Sequence, residues 1–184
     1  EIITSAPEAL IKICERAMQH AQRDRYPTAQ DFAQDLSAWL EGQQQRQEAL
    51  ELIEQIPALK QRQRELMERA RTLALEAKRS LELLPQWASE AQKAPSWALE
   101  DESERLLEEV EGLDFEVELT LQGARSLAGG LPELHQEAAA HYLDSYLRLS
   151  ASLRTQEASR ALAYLRDHSL ALYEDHPKRP LYLQ

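Results

Sequence analysis

Apolar residues recur at threes and fours along most of this chain, and that period predicts helices throughout. Ser5 with Glu8 reads as a capping box, with Pro7 in the first turn. Leu10, Ile13, Cys14 and Ala17 then share one face, and the small apolar Cys14 is expected to be buried there. His20 to Pro27 is a polar connection. Thr28 with Asp31 repeats the box ahead of a stripe of Phe32, Leu36, Trp39 and Leu40. Gly42 is a plausible stop, although an interior glycine costs a helix only about 1 kcal/mol against alanine. Ala49, Leu50, Leu52, Ile53 and Ile56 make a further patch, with Pro57 marking a kink or a restart.

Two longer helices follow. Leu59, Leu66, Ala70, Leu73, Ala77, Leu81 and Leu84 recur at nearly coiled-coil spacing over 58–84, and Pro85 ends the run. Trp87 to Pro95 reads as a connection, with Trp87 and Trp97 placed to anchor its corner or to dock a partner, and Ser96 as the cap of the next helix. Leu99, Leu106, Val110, Leu113, Val117, Leu121, Ala124 and Leu127 track one face over 97–127, and Gly129-Gly130 terminates it. The expected organisation is a linker over 43–57, an antiparallel two-helix arm over 58–127, a helical hairpin over 131–176 and an extended tail over 177–184. The hairpin carries Leu134, Ala138, Tyr142, Tyr146, Leu149 and Leu153 on one helix and Ala158, Leu162, Leu165 and Leu172 on the other. The fold class is therefore all-α.

Charge changes the picture of the arm. Residues 60–79 hold seven basic side chains against three acidic ones, whereas 100–118 hold ten acids and one arginine. Side by side, the two blocks are expected to form a row of ion pairs that sets register, each pair being worth only about 0–1 kcal/mol. The near-heptad stripe Leu59–Leu84 points to self-association through the long helices.

The net charge of -11 argues against a nucleic-acid partner and against contact with an anionic membrane surface. No apolar run approaches the ~20 residues of a membrane span, and the chain shows no signal peptide. A single cysteine leans toward a reducing, cytoplasmic setting. Because it begins at Glu1 without a methionine, the chain reads as a piece of a longer protein.

Catalytic chemistry has no foothold. His20, His135, His141, His168 and His176 form no HExxH or tight ligand cluster, and are expected at surfaces or helix edges. The acids of 100–118 read as a solvated face rather than as paired catalytic carboxylates, and no calcium-loop pattern occurs. No catalytic, cofactor-binding or metal residue is assigned.

One stretch carries more than composition. Arg16-Ala17-Met18, then Arg25-Tyr26-Pro27-Thr28-Ala29, then Leu36, Trp39, Leu40 and Gly42 fall in the register of a known pattern. Residues 7–42 resemble the last two helices of the large lobe of bacterial eukaryotic-like serine/threonine protein kinases. An Asp-Pro usual before the turn is replaced by Ala21-Gln22. The resemblance implies that 1–42 close a kinase lobe, with structural roles for Arg25 and Trp39. Arg25 would be buried and paired with a glutamate upstream. It also implies a parent enzyme using ATP and magnesium, whose Gly-rich loop, HRD-type loop and DFG motif all lie upstream. The segment itself would then be a non-catalytic regulatory, scaffolding or protein-interaction element, packed on the kinase lobe in its own chain. The alternative is a free-standing helical adaptor or coiled-coil interaction protein.

Overall fold

The computed structural model describes residues 6–151 and 154–173. The Ser5 cap, Leu153 and the tail from 177 onward lie outside them. The described chain is helical: α1 Glu8–Ala17, a 3-10 turn Gln22–Asp24, α2 Ala29–Ile53, α3 Ile56–Glu82, α4 Glu90–Ala128, α5 Pro132–Ala151 and α6 Thr155–Tyr173. None of these helices is long and apolar enough to cross a membrane.

The expected box at Thr28 starts α2. Thr28 N donates to Asp31 Oδ2 at 3.0 Å, and Asp31 N donates to Thr28 Oγ1 at 3.2 Å. The helix does not stop at Gly42 but continues to Ile53. A Cβ on Gly42 would meet nothing within 4 Å. Gly42→Ala is therefore expected to steady this part of α2 by about 0.5–1 kcal/mol, read as slower amide exchange around position 42.

Between α2 and α3, Glu54 and Gln55 keep right-handed helical dihedrals, and Pro57 falls in the first turn of α3, where its missing N–H is harmless. Pro57 thus marks a restart. The two helices run end to end, and α4 returns along both. Ser103 Oγ donates to the Ala70 carbonyl at 2.9 Å, and Leu52 reaches Gly123. Together α2, α3 and α4 form an antiparallel arm about 58 Å long, from 39 residues of α4 at about 1.5 Å each.

The start of α4 corrects the sequence reading. The helix begins at Glu90, not at Trp97, and Ser89 supplies the cap, its N–H donating to Gln92 Oε1 at 2.9 Å. Pro95 is accommodated inside the helix. It removes the N–H that would donate to the Ala91 carbonyl, and its ring crowds that carbonyl, which bends the helix near its start. Ser96 is no cap: it is buried in the seam, which small residues line on both sides (Ala70 and Ala77 against Ser96 and Ser103). The Trp87–Trp97 corner is also corrected. Trp87 is 84% exposed and anchors nothing. Trp87→Ala should leave the urea midpoint unchanged within about 0.5 kcal/mol.

The row of ion pairs across the arm does not form. Among the described residues one pair joins α3 to α4, Arg62 to Glu109 at 2.6 Å, helped by Gln63 Nε2 donating to Asp114 Oδ1 at 3.0 Å. The seam itself is apolar and small, so the charges lie on the flanks.

The main core sits at the base of the arm. Ala49 and Ile53 of α2, Ile56 of α3, Val117, Leu121 and Ala124 of α4, Leu131, Leu134, Ala138 and Tyr142 around α5, and Leu165 of α6 form one cluster. Helix α5 packs against α2 and α4 and is tied to the arm by Lys60–Glu137 at 3.4 Å and Arg148–Asp114 at 2.7 Å. Helix α6 pairs with α5 as the expected hairpin.

Candidate functional site

Three places gather side chains with chemical potential. The first is the α1–α2 corner. Tyr26 Oη donates to Asp35 Oδ2 at 2.7 Å, Arg16 lies 3.5 Å from the same carboxylate, and its guanidinium sits 4.3 Å from the centre of the Tyr26 ring. Partial burial, then the Asp35 carboxylate, raises the Tyr26 hydroxyl above its usual pKa. Phe32 meets Tyr26 edge-on at 5.5 Å. Arg25 is exposed rather than buried. Its Nε donates to the Gln19 carbonyl and its Nη2 to the His20 carbonyl at 3.2 Å, so it ties down the turn after α1. Cys14 corrects a second expectation, being exposed, and no residue of α1 is fully buried. Trp39 is half-buried, facing the α4–α5 turn at Ala128, Gly130 and Leu131. Its Nε1 is buried and has no partner among the described residues.

The second place is the α5–α6 interface. His135 Nδ1 lies 2.9 Å from His168 Nδ1. Such a bond needs one ring protonated on Nδ1 and the other bare there. His168 stacks on Tyr142 with ring centres 5.8 Å apart, and Tyr142 stacks on Tyr164 at 4.9 Å. His141 is also buried, 4.0 Å from Asp114. The expected exposure of the histidines is thus wrong for His141 and His168. Burial lowers all three imidazoles below their ordinary pKa. His168 falls to about 4, with His135 and Arg125 adding repulsion. Burial also pushes Tyr142 up to about 12. These rings are neutral near pH 7 and act as packing. Sequence spacing missed the His135–His168 contact because it joins two helices at a separation of 33 residues.

The third place is a groove of about 570 Å³ where α5 ends against the arm, floored by Met67, Leu107 and Val110 and rimmed by Glu111, Phe115 and Arg154. Its charged groups are paired or solvated, and nothing in it combines a nucleophile with a base. Among the described residues, no three His, Cys, Asp or Glu side chains converge as metal ligands. No family model, curated protein or solved structure matches the chain.

Proposed function

We propose that this chain is a non-catalytic scaffolding and protein-interaction arm, joined to the end of a bacterial serine/threonine kinase lobe in a cytoplasmic protein. The continuity of α2 carries this reading. One 25-residue helix starts in the segment that resembles the lobe and ends in the core of the arm. The lobe-like part is an incomplete unit by itself. Helix α1 carries Leu10, Ile11, Ile13 and Ala17 half-buried and Met18 75% exposed, as a helix does when a further surface covers it. In this reading ATP and magnesium act in the parent enzyme, and the arm has no part in the phosphoryl transfer.

The parent's coding sequence tests this directly. An HRD-type loop and a DFG motif are expected before Glu1. If neither is there, the kinase reading fails and the free-standing adaptor takes its place. One observation favours that alternative: Arg25 is exposed, and its Nε and Nη2 donate to the Gln19 and His20 carbonyls of its own turn.

A further inference from the structure

The far end of the arm, where α3 turns into α4, carries two large apolar side chains in water. Leu83 is 86% exposed and Trp87 84%. Both sit on fixed backbone. Leu83 N still donates to the Arg79 carbonyl at 3.2 Å, as part of the last turn of α3. Ala88 N donates to the Pro85 carbonyl at 2.9 Å, which closes a turn over 85–88. Ala88 is buried and Ser89 caps α4, so the turn is pinned on its far side and Trp87 stands at its crest. The exposure is therefore built into an ordered turn.

Three cations stand behind this crest. Lys78 and Arg79 lie about one turn before Leu83, and Lys93 lies one turn into α4, each about 5 Å back along the arm. Two acids share this end. Glu82 lies 4.0 Å from Lys78, and Glu90 is in the first turn of α4, where the helix dipole favours it. Residues 78–97 thus carry three cations against two acids, in a chain whose net charge is -11. Apart from Glu76 on α3, the next acids begin at Glu100, about 15 Å beyond Glu90. At physiological salt that is about two Debye lengths. The tip therefore presents its own charge to a surface, not the charge of the whole chain.

Cations one turn behind an indole and an alkyl side chain match the layers of a lipid surface, with apolar groups below the headgroups and cations level with the phosphates. Area also favours lipid. Leu83 and Trp87 together present about 350 Å², less than half of the ~800 Å² that each side of a specific protein interface buries. The same shortfall counts against two tips meeting. A bilayer sets no such minimum, because it closes around whatever enters it. We propose that the tip of the arm inserts shallowly into a lipid bilayer surface through Leu83 and Trp87, with Lys78, Arg79 and Lys93 at headgroup level. This goes beyond the interaction-arm reading and stands whether or not a kinase precedes the arm. Helices α2 and α3, of 25 and 27 residues end to end, would hold the α1 corner about 80 Å from that surface.

Flotation of the full chain with phosphatidylcholine vesicles tests the proposal. Wild type should float, and its tryptophan emission should shift to the blue as Trp87 leaves water. Trp87→Ala and Leu83→Ala should each lower the partition coefficient at least about fivefold, and the double variant should stay with the solvent. Trp87→Ala should also lose the blue shift, with circular dichroism as helical as wild type. Leu147→Ala, at a site 56% exposed on α5, removes an apolar side chain away from the tip and should float as wild type. Salt supplies an independent sign. On vesicles of phosphatidylcholine and phosphatidylglycerol in equal parts, raising salt from about 0.01 M to about 0.15 M shortens the Debye length from about 30 Å to about 8 Å. Binding should then strengthen, because the acids of α4 no longer reach the surface, whereas a merely basic patch would bind more weakly. A wild-type chain that does not float with phosphatidylcholine would overturn the proposal, and is the result expected if the tip seats in a protein cleft instead. A double variant that floats as well as wild type would overturn it too, by placing the contact elsewhere. The kinase reading is judged separately, by the motifs before Glu1.

Discussion

Ile56→Ala is expected to destabilise the chain by about 2–5 kcal/mol, among the largest effects of any single substitution here. Ile56 is wholly buried where α2 ends and α3 begins, and its cluster includes residues of α4, α5 and α6. Removing three carbons there leaves a cavity bordered by several helices, none of which can close in without leaving the others. Alanine's better helix propensity returns only about 0.4 kcal/mol. Urea unfolding followed by circular dichroism measures the loss. Leu75→Ala, at a site 47% exposed, should shift the midpoint far less. Equal shifts in the two variants would mean that the core is not centred at this joint.

Acid should loosen the α5–α6 hairpin. His168 faces His135 and Tyr142 on α5 and feels Arg125 of α4 and Asp167 of its own helix. Its pKa falls from 6.5 to about 4 in the folded chain. A lowered value on a base means that the unfolded chain takes up the proton first. Stability from this group is therefore complete above about pH 6.5 and is lost as the pH falls toward 4. The full loss is about 3 kcal/mol, of which about 2 kcal/mol is gone by pH 5, before most carboxylates titrate. His141, lowered by burial and by Lys60 and Arg148 against the pull of Asp114 and Asp144, adds in the same direction. Comparing urea midpoints at pH 7.5 and 5 for wild type and His168→Gln isolates the effect. The variant should be less stable at pH 7.5 yet lose less on acidification. Parallel losses in the two proteins would show that His168 is not responsible.

Much of the helical framework was legible because burial follows period. Of the face predicted on α4, Leu106, Val110, Leu113, Val117, Leu121 and Ala124 are buried, and Leu99 and Leu127 are half-buried. The antiparallel arm and the second hairpin follow from such faces and from the breaks at Pro85 and Gly129-Gly130. Three features were not legible, each for its own reason. Pro95 reads as a breaker, but the cap at Ser89 starts the helix early enough for the proline to lie near its beginning, and this adds the Ala77–Ser96 level to the seam. The charge blocks read as partners, but most of the seam between α3 and α4 is filled by small and apolar side chains, with Gln63 bonded to Asp114 among them, which leaves the charges on its flanks. The His135–His168 bond depends on how far α6 slides along α5, and a one-dimensional pattern does not encode that offset.

The uninterrupted run of α2 past Gly42 has a geometric consequence. Each residue of an α-helix advances the axis by about 1.5 Å and turns it by about 100°. From Leu40 to Glu48 every residue of α2 is exposed, so the packing that an insertion there disturbs is chiefly that of Trp39 on the α4–α5 turn. One added residue would swing the α1 corner a little over a quarter of the way around the arm, whereas seven would bring it back nearly to its starting azimuth. The number of residues in that stretch therefore fixes the direction in which anything attached ahead of α1 points.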